Sequence, residues 1–145
     1  MPETPTQNYS NYTRWDPLFH FFIEPVFLVT VIVAIVHAIR WPGFHTWWTV
    51  LLSIAALMLV FKARLYALKV QDRVIRLEER LRLTTLLPEA LRNRIGELSE
   101  SQLIALRFAS DEELPALVNE TLTRNLAPKE IKQAVKNWRA DFFRV

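Results

Sequence analysis

The 145-residue chain contains no cysteine and only two glycines. Without thiols there is no disulfide framework, thiolate zinc site, cysteine-held iron–sulfur cluster, covalent c-type haem or cysteine nucleophile. Two glycines exclude a glycine-rich phosphate loop, a collagen-like repeat and a flexible Gly/Ser linker. Charge is scarce where a soluble domain would carry it. Residues 1–61 hold two basic side chains (Arg14, Arg40) and three acidic ones (Glu3, Asp16, Glu24). Residues 62–83 hold seven basic against three acidic, and residues 84–145 balance at nine each. The +3 net charge and 51% hydrophobic content thus average over three unlike stretches.

Long apolar runs fill the space left by charge. From Phe19 to Ile39 the only charged residue is Glu24, and from Phe44 to Phe61 there is none. About 20 apolar residues in a helix cross a hydrocarbon core of about 30 Å, so both runs reach. Each is apolar all round, without the polar stripe of a surface helix. Trp15 and Tyr12 precede the first run, Trp41, Trp47 and Trp48 crowd the link, and Tyr66 follows the second. Such amphipathic rings collect at the headgroup levels of a bilayer. The pattern predicts an all-α membrane protein built on a two-helix transmembrane hairpin over 17–61, with helices at about 17–40 and 44–61. Arg40-Trp41-Pro42-Gly43 supplies the turn.

The link offers one basic residue, Arg40, whereas Lys62, Arg64, Lys69 and Arg73 follow the second run and Arg14 precedes the first. The positive-inside bias therefore places both termini in the cytoplasm of a bacterial inner membrane. Met1–Asn11 has no basic n-region and no cleavage pattern, so the first helix is expected to insert itself, behind a polar tail over 1–16. Asp16-Pro17 reads as an N-cap and a first-position proline. Pro25 would kink the helix, because it cannot donate to the carbonyl of Phe21.

His20 and Glu24 lie four apart on one helical face near the cytoplasmic interface. Intramembrane ionisable groups are functional candidates by default. His20 and His37 are accordingly the candidate ligands for a haem, quinone or pigment. They are about 25 Å apart along the helix and cannot share one iron. Two side chains do not make a metal site, so none is expected. His45 lies in the link.

No glycine or proline interrupts Thr46–Leu87, so the second helix is expected to run on into the cytoplasm to about Leu83, the part over 62–83 being basic. Ala67, Val70, Val74, Leu77 and Leu81 are spaced 3, 4, 3, 4, the seam of a heptad. A second copy, the chain's own tail or another subunit must cover it. Lys62, Arg64 and Lys69 are read as facing anionic lipid, at about 1 kcal/mol each near the surface. No aromatic platform or groove-reading motif points to nucleic acid.

Residues 84–145 read as four short helices. Pro88 opens one carrying Leu91, Ile95 and Leu98; Ser99 with Gln102, and Ser110 with Glu113, form capping boxes for two more. Pro128 opens the last, whose Ile131, Val135, Trp138 and Phe142 share a face. The region contains no His and no catalytic constellation, and no enzymatic activity is expected of the chain.

Several stretches together carry a resemblance: Gln7-Asn8-Tyr9, Arg14-Trp15-Asp16-Pro17 with His20, Ala67–Arg82 around Gln71-Asp72-Arg73, Leu106–Glu113, Ile131–Asp141 and the terminal Arg144-Val145. The chain resembles an uncharacterised family of small bacterial two-helix membrane proteins, a domain of unknown function. The resemblance covers nearly the whole chain and implies the architecture without an activity. The leading expectation is a non-catalytic accessory subunit docked on a larger membrane complex. Gln71, Asp72, Arg73, Arg76 and Glu79 on the extended helix, and Gln7, Asn8, Tyr9 and Arg14 on the tail, are its candidate partner contacts. The rival expectations are a cofactor-bearing electron-transfer subunit and a membrane-anchored regulator that binds anionic lipid.

Overall fold

Asp16 starts the first helix as a side-chain cap. Its Oδ1 accepts the Phe19 backbone N–H at 3.2 Å and its carbonyl accepts that of His20 at 3.0 Å. This is a computed structural model, and it describes residues 7–13 and 15–141. Phe19–Ile23 form a π-helical turn, closed by the Glu24 N–H on the Phe19 carbonyl, and helix α1 (Glu24–Arg40) follows. The distortion expected at Pro25 thus takes the form of a widened turn just before it, which accommodates a ring that has no N–H to give.

Helix α2 runs without a break from Phe44 to Leu86, 43 residues. Phe19–Arg40 and Phe44–Leu86 are both long and apolar enough to cross a membrane, and only 11% of the apolar window of each is buried. Polar side chains within the runs are satisfied by their own helix. Thr30 Oγ1 donates to the Val26 carbonyl at 2.7 Å, Thr49 Oγ1 to that of His45 at 2.9 Å and Ser53 Oγ to that of Val50 at 2.8 Å. Such back-bonding removes most of the cost of a hydroxyl in apolar surroundings.

Between the helices, Thr46 Oγ1 donates to the carbonyls of Gly43 (2.8 Å) and Trp41 (3.1 Å). Gly43 does not occupy a positive-φ conformation, so the turn does not need its freedom. Ala34 and Ala38 on α1 pack with Val50 on α2. Phe61 on α2 meets the ring of Phe19 edge-on at 6.3 Å.

The contacts divide the described residues into two units, 15–69 and 7–13 with 70–141, the boundary falling within α2. In the second unit, α2 is followed by α3 (Glu89–Arg92), a 3-10 turn (Ile95–Glu97), α4 (Glu100–Leu106), α5 (Leu114–Arg124) and α6 (Pro128–Ala134). The segment after Pro88, expected as one helix, is two short pieces. The Ser99–Gln102 capping box is complete, with Gln102 N–H on Ser99 Oγ at 3.2 Å and Ser99 N–H on Gln102 Oε1 at 2.8 Å. Leu83, Leu87, Leu103, Leu106, Leu114, Val118 and Ile131 are buried together as the core.

The last helix is shorter than its apolar spacing predicts. α6 ends at Ala134, and Trp138 instead forms an isolated antiparallel bridge with Ala109. Of the box expected at Ser110–Glu113 only the Glu113 half forms: its carboxylate accepts the backbone N–H groups of Ser110 (3.3 Å), Lys136 (3.1 Å) and Asn137 (3.2 Å), while Ser110 Oγ makes no hydrogen bond among the described residues. The Arg139 N–H goes to the Phe108 carbonyl at 2.7 Å. These tertiary partners replace the i→i−4 bonds that a continuing helix would have made. Phe142 lies outside the described residues.

Candidate functional site

The face of α2 turned into the second unit is set by Ile75, Glu79 and Leu83, one helical turn apart and all buried. Glu79 is 4% exposed and its carboxylate is held by two guanidinium groups, Arg82 at 3.0 Å and Arg139 at 3.2 Å. Arg82 continues the network, donating from Nε to Asp111 Oδ1 at 2.8 Å and from Nη2 to the Ala109 carbonyl at 2.7 Å. A buried carboxylate is tolerable only when paired and hydrogen-bonded, and this one is both. The network fastens α2 to the loop before α5 and to the segment after α6.

Beside it lies a second attachment. Gln7 Oε1 accepts the Asp141 backbone N–H at 2.8 Å, and the Tyr12 ring lies 5.8 Å from Phe108 and 6.1 Å from Trp138, with Lys132 Nζ 4.4 Å above it. Asn8 Oδ1 closes the turn by accepting from the Ser10 N–H at 2.9 Å. The Tyr9 ring lies 5.9 Å from that of Tyr12, tilted by 35°. Arg107 pairs with Asp141 at 3.3 Å and lies 4.5 Å over the Phe108 ring.

The candidate partner residues are therefore not equivalent. Gln7, Asn8, Tyr9 and Glu79 make their contacts within this chain. Arg76 forms an ion pair with Glu100 and its Nε donates to the Asp72 carbonyl at 3.2 Å. Gln71 and Asp72 are half-buried, whereas Arg73 is exposed, with no ion pair among the described residues. Arg14 lies outside the described residues. Arg82, Asp111, Arg107, Arg139 and Asp141 join these contacts without any signal in the sequence. Their partners lie 27 or more positions away or fall off the heptad seam, so no local spacing announces them.

The other face of the same helical stretch is bare. Val70, Val74, Leu77 and Leu81 are 63%, 48%, 61% and 62% exposed. A cleft of about 480 Å3 runs along this stripe, with Arg73, Arg80 and Glu100 among its walls. The chain's own C-terminal domain packs against Ile75, Glu79 and Leu83 and leaves the stripe open.

In the unit over 15–69, His20 Nδ1 and Glu24 Oε2 are 3.4 Å apart. They line a cleft of about 660 Å3 with Trp15, Phe19, Arg64 and Leu68. Arg64, expected to face lipid, is turned inward, 3.2 Å from Asp16 Oδ2 and 5.0 Å over the Phe19 ring. Lys62 and Lys69 are exposed. His37 packs beside the Trp41 ring at 4.9 Å, on the same helix as His20 and far from its cleft. Among the described residues no three His, Asp or Glu side chains gather as a metal site.

The model of a family of unknown function (DUF6526) matches residues 1–145. No curated protein matches the chain, and no solved structure does.

Proposed function

The chain belongs to the DUF6526 family, a family of unknown function, and we propose that it is a non-catalytic membrane accessory subunit. On this reading the two apolar helices form a transmembrane hairpin in a bacterial inner membrane, with both termini on the cytoplasmic side. The rest of α2 carries the 70–141 unit into the cytoplasm, where it docks on a larger membrane complex. The observation that carries the reading is a contrast in burial. The apolar runs are 11% buried, whereas the 70–141 unit has its own closed core and a satisfied buried carboxylate. A helix that is apolar all round and uncovered by its own protein needs lipid around it. Exposed Lys62 and Lys69 suit the anionic cytoplasmic leaflet, and Arg73 is exposed with no ion pair among the described residues.

Purification in a mild detergent followed by native mass spectrometry tests the assignment. Stoichiometric association with other membrane subunits is expected. A chain that elutes free of other proteins, alone or only with copies of itself, would overturn the docking role.

A second reading has one observation in its favour. The cleft beside His20 combines an imidazole, the Glu24 carboxylate, the Arg64 guanidinium and the rings of Trp15 and Phe19. That is a lining suited to a ring with polar edges, such as a quinone. Absorption bands or extracted quinone that vanish in His20→Ala would support it, and a colourless, quinone-free protein would exclude it.

A further inference from the structure

The bare stripe on α2 has a pattern of charges beside it that selects its occupant. With Val74 and Leu81 at heptad position a and Val70 and Leu77 at d, Arg73 and Arg80 fall at g, and Gln71 and Glu78 fall at e. Arg73, Glu78 and Arg80 are exposed and form no ion pair among the described residues. In a parallel pair of helices each g side chain faces the following e side chain of the other strand. Two copies of this helix in register would set Arg73 against the partner's Glu78, twice by symmetry. An antiparallel pair sets g against g and would bring arginines together.

We infer that residues 70–81 form a short parallel coiled coil with a second copy of this chain. Three observations converge. The apolar residues stay exposed although the same chain has a folded domain that packs elsewhere on the helix. Valine at a with leucine at d, as at Val74 and Leu77, suits two strands. The unpaired flanking charges are complementary to their own copy in one orientation only. About two heptads are short of the three to four that an independent coiled coil needs. The inference rests on the membrane reading for the remainder. Two copies anchored in one membrane share a plane and a direction, which raises their effective concentration and imposes the parallel arrangement.

The absence of cysteine makes the test direct. Single substitutions Val70→Cys, Val74→Cys, Leu77→Cys and Leu81→Cys are introduced into the full chain in its native membrane and oxidised with copper–phenanthroline. Homodimeric disulfides are expected at these four positions, and at least about fivefold less at Lys69→Cys and Asn119→Cys, which lie off the seam. In the Leu77→Cys background, Arg73→Glu should lower the yield about fivefold by turning two rim pairs into repulsions, and adding Glu78→Arg should restore it. Yields without the seam periodicity, adducts formed with another protein, or failure of the charge exchange to restore the yield would each overturn the proposal. A membrane-embedded chain with no seam cross-links refutes the dimer alone. Seam cross-links in a chain recovered from the soluble fraction refute the membrane reading alone.

Discussion

Replacing Glu79 by alanine removes the carboxylate at the centre of the network that joins α2 to its C-terminal domain. Two charge-assisted hydrogen bonds disappear, to Arg82 at 3.0 Å and Arg139 at 3.2 Å. Bonds of this kind contribute about 1.5–3 kcal/mol each when shielded from water. The Arg82 bond counts nearly in full, since the two side chains are 11% and 5% exposed. The Arg139 bond counts for little, because that guanidinium is 54% exposed and screened by solvent. Arg82 is not stranded by the change, as Asp111 and the Ala109 carbonyl still hold it. The cost therefore falls short of the 3–5 kcal/mol typical of an orphaned buried charge, at about 2–3 kcal/mol. Glu79→Gln keeps the shape and an acceptor and should lose about half as much. Urea titration of the detergent-solubilised chain, followed by Trp138 fluorescence with the other four tryptophans replaced by phenylalanine, reads the transition of this unit. A loss under about 0.5 kcal/mol for Glu79→Ala would refute the claim that the network fastens the domain.

Gln102 combines a helix cap with bonds to the far end of α5, donating to the Leu126 carbonyl at 3.0 Å and to Asn125 Oδ1 at 3.3 Å. Gln102→Ala should cost about 2–3 kcal/mol in the same titration, from a lost cap and an unsatisfied buried carbonyl. At Gly43 a Cβ would meet only Thr46 Oγ1 at 3.9 Å, so Gly43→Ala should leave thermal stability and membrane insertion unchanged. The hydrogen bond from Arg94 holds the Glu97 carboxyl below its ordinary pKa, and desolvation only partly opposes it. Because the folded value is the lower one, the pair's contribution is present above the ordinary carboxylate range and is lost as pH falls through the depressed value. The Arg94 pKa is raised by the same bond, so the pair persists on the alkaline side. An NMR titration should place Glu97 below the usual range, and Arg94→Ala should return it there.

The elements legible in the sequence were those whose cause is local. The apolar runs, the cap at Asp16 and the box at Ser99–Gln102 each rest on residues within a few positions of one another. The helix face that docks the C-terminal domain was not legible. The heptad picks out Val70, Val74, Leu77 and Leu81, while the domain packs on Ile75, Glu79 and Leu83. A charged residue at the middle of a buried face hides that face from any hydrophobic periodicity; its main partner Arg82 lies off the heptad seam, and Arg139 lies 60 positions away. The end of α6 failed for the same reason. Trp138 continues the apolar spacing, but Glu113 and Phe108 capture the backbone that would have carried the helix onward.

The reading of this chain as a membrane subunit with a cytoplasmic docking unit is tested most directly by sidedness. Gly43→Cys in the link and Asn119→Cys on α5 are each placed in the cysteine-free chain and exposed, in intact inner-membrane spheroplasts, to a membrane-impermeant maleimide. Labelling is expected at position 43 without lysis, and at position 119 only after the membrane is opened. Labelling of both positions in intact spheroplasts, or of position 119 alone, would contradict it.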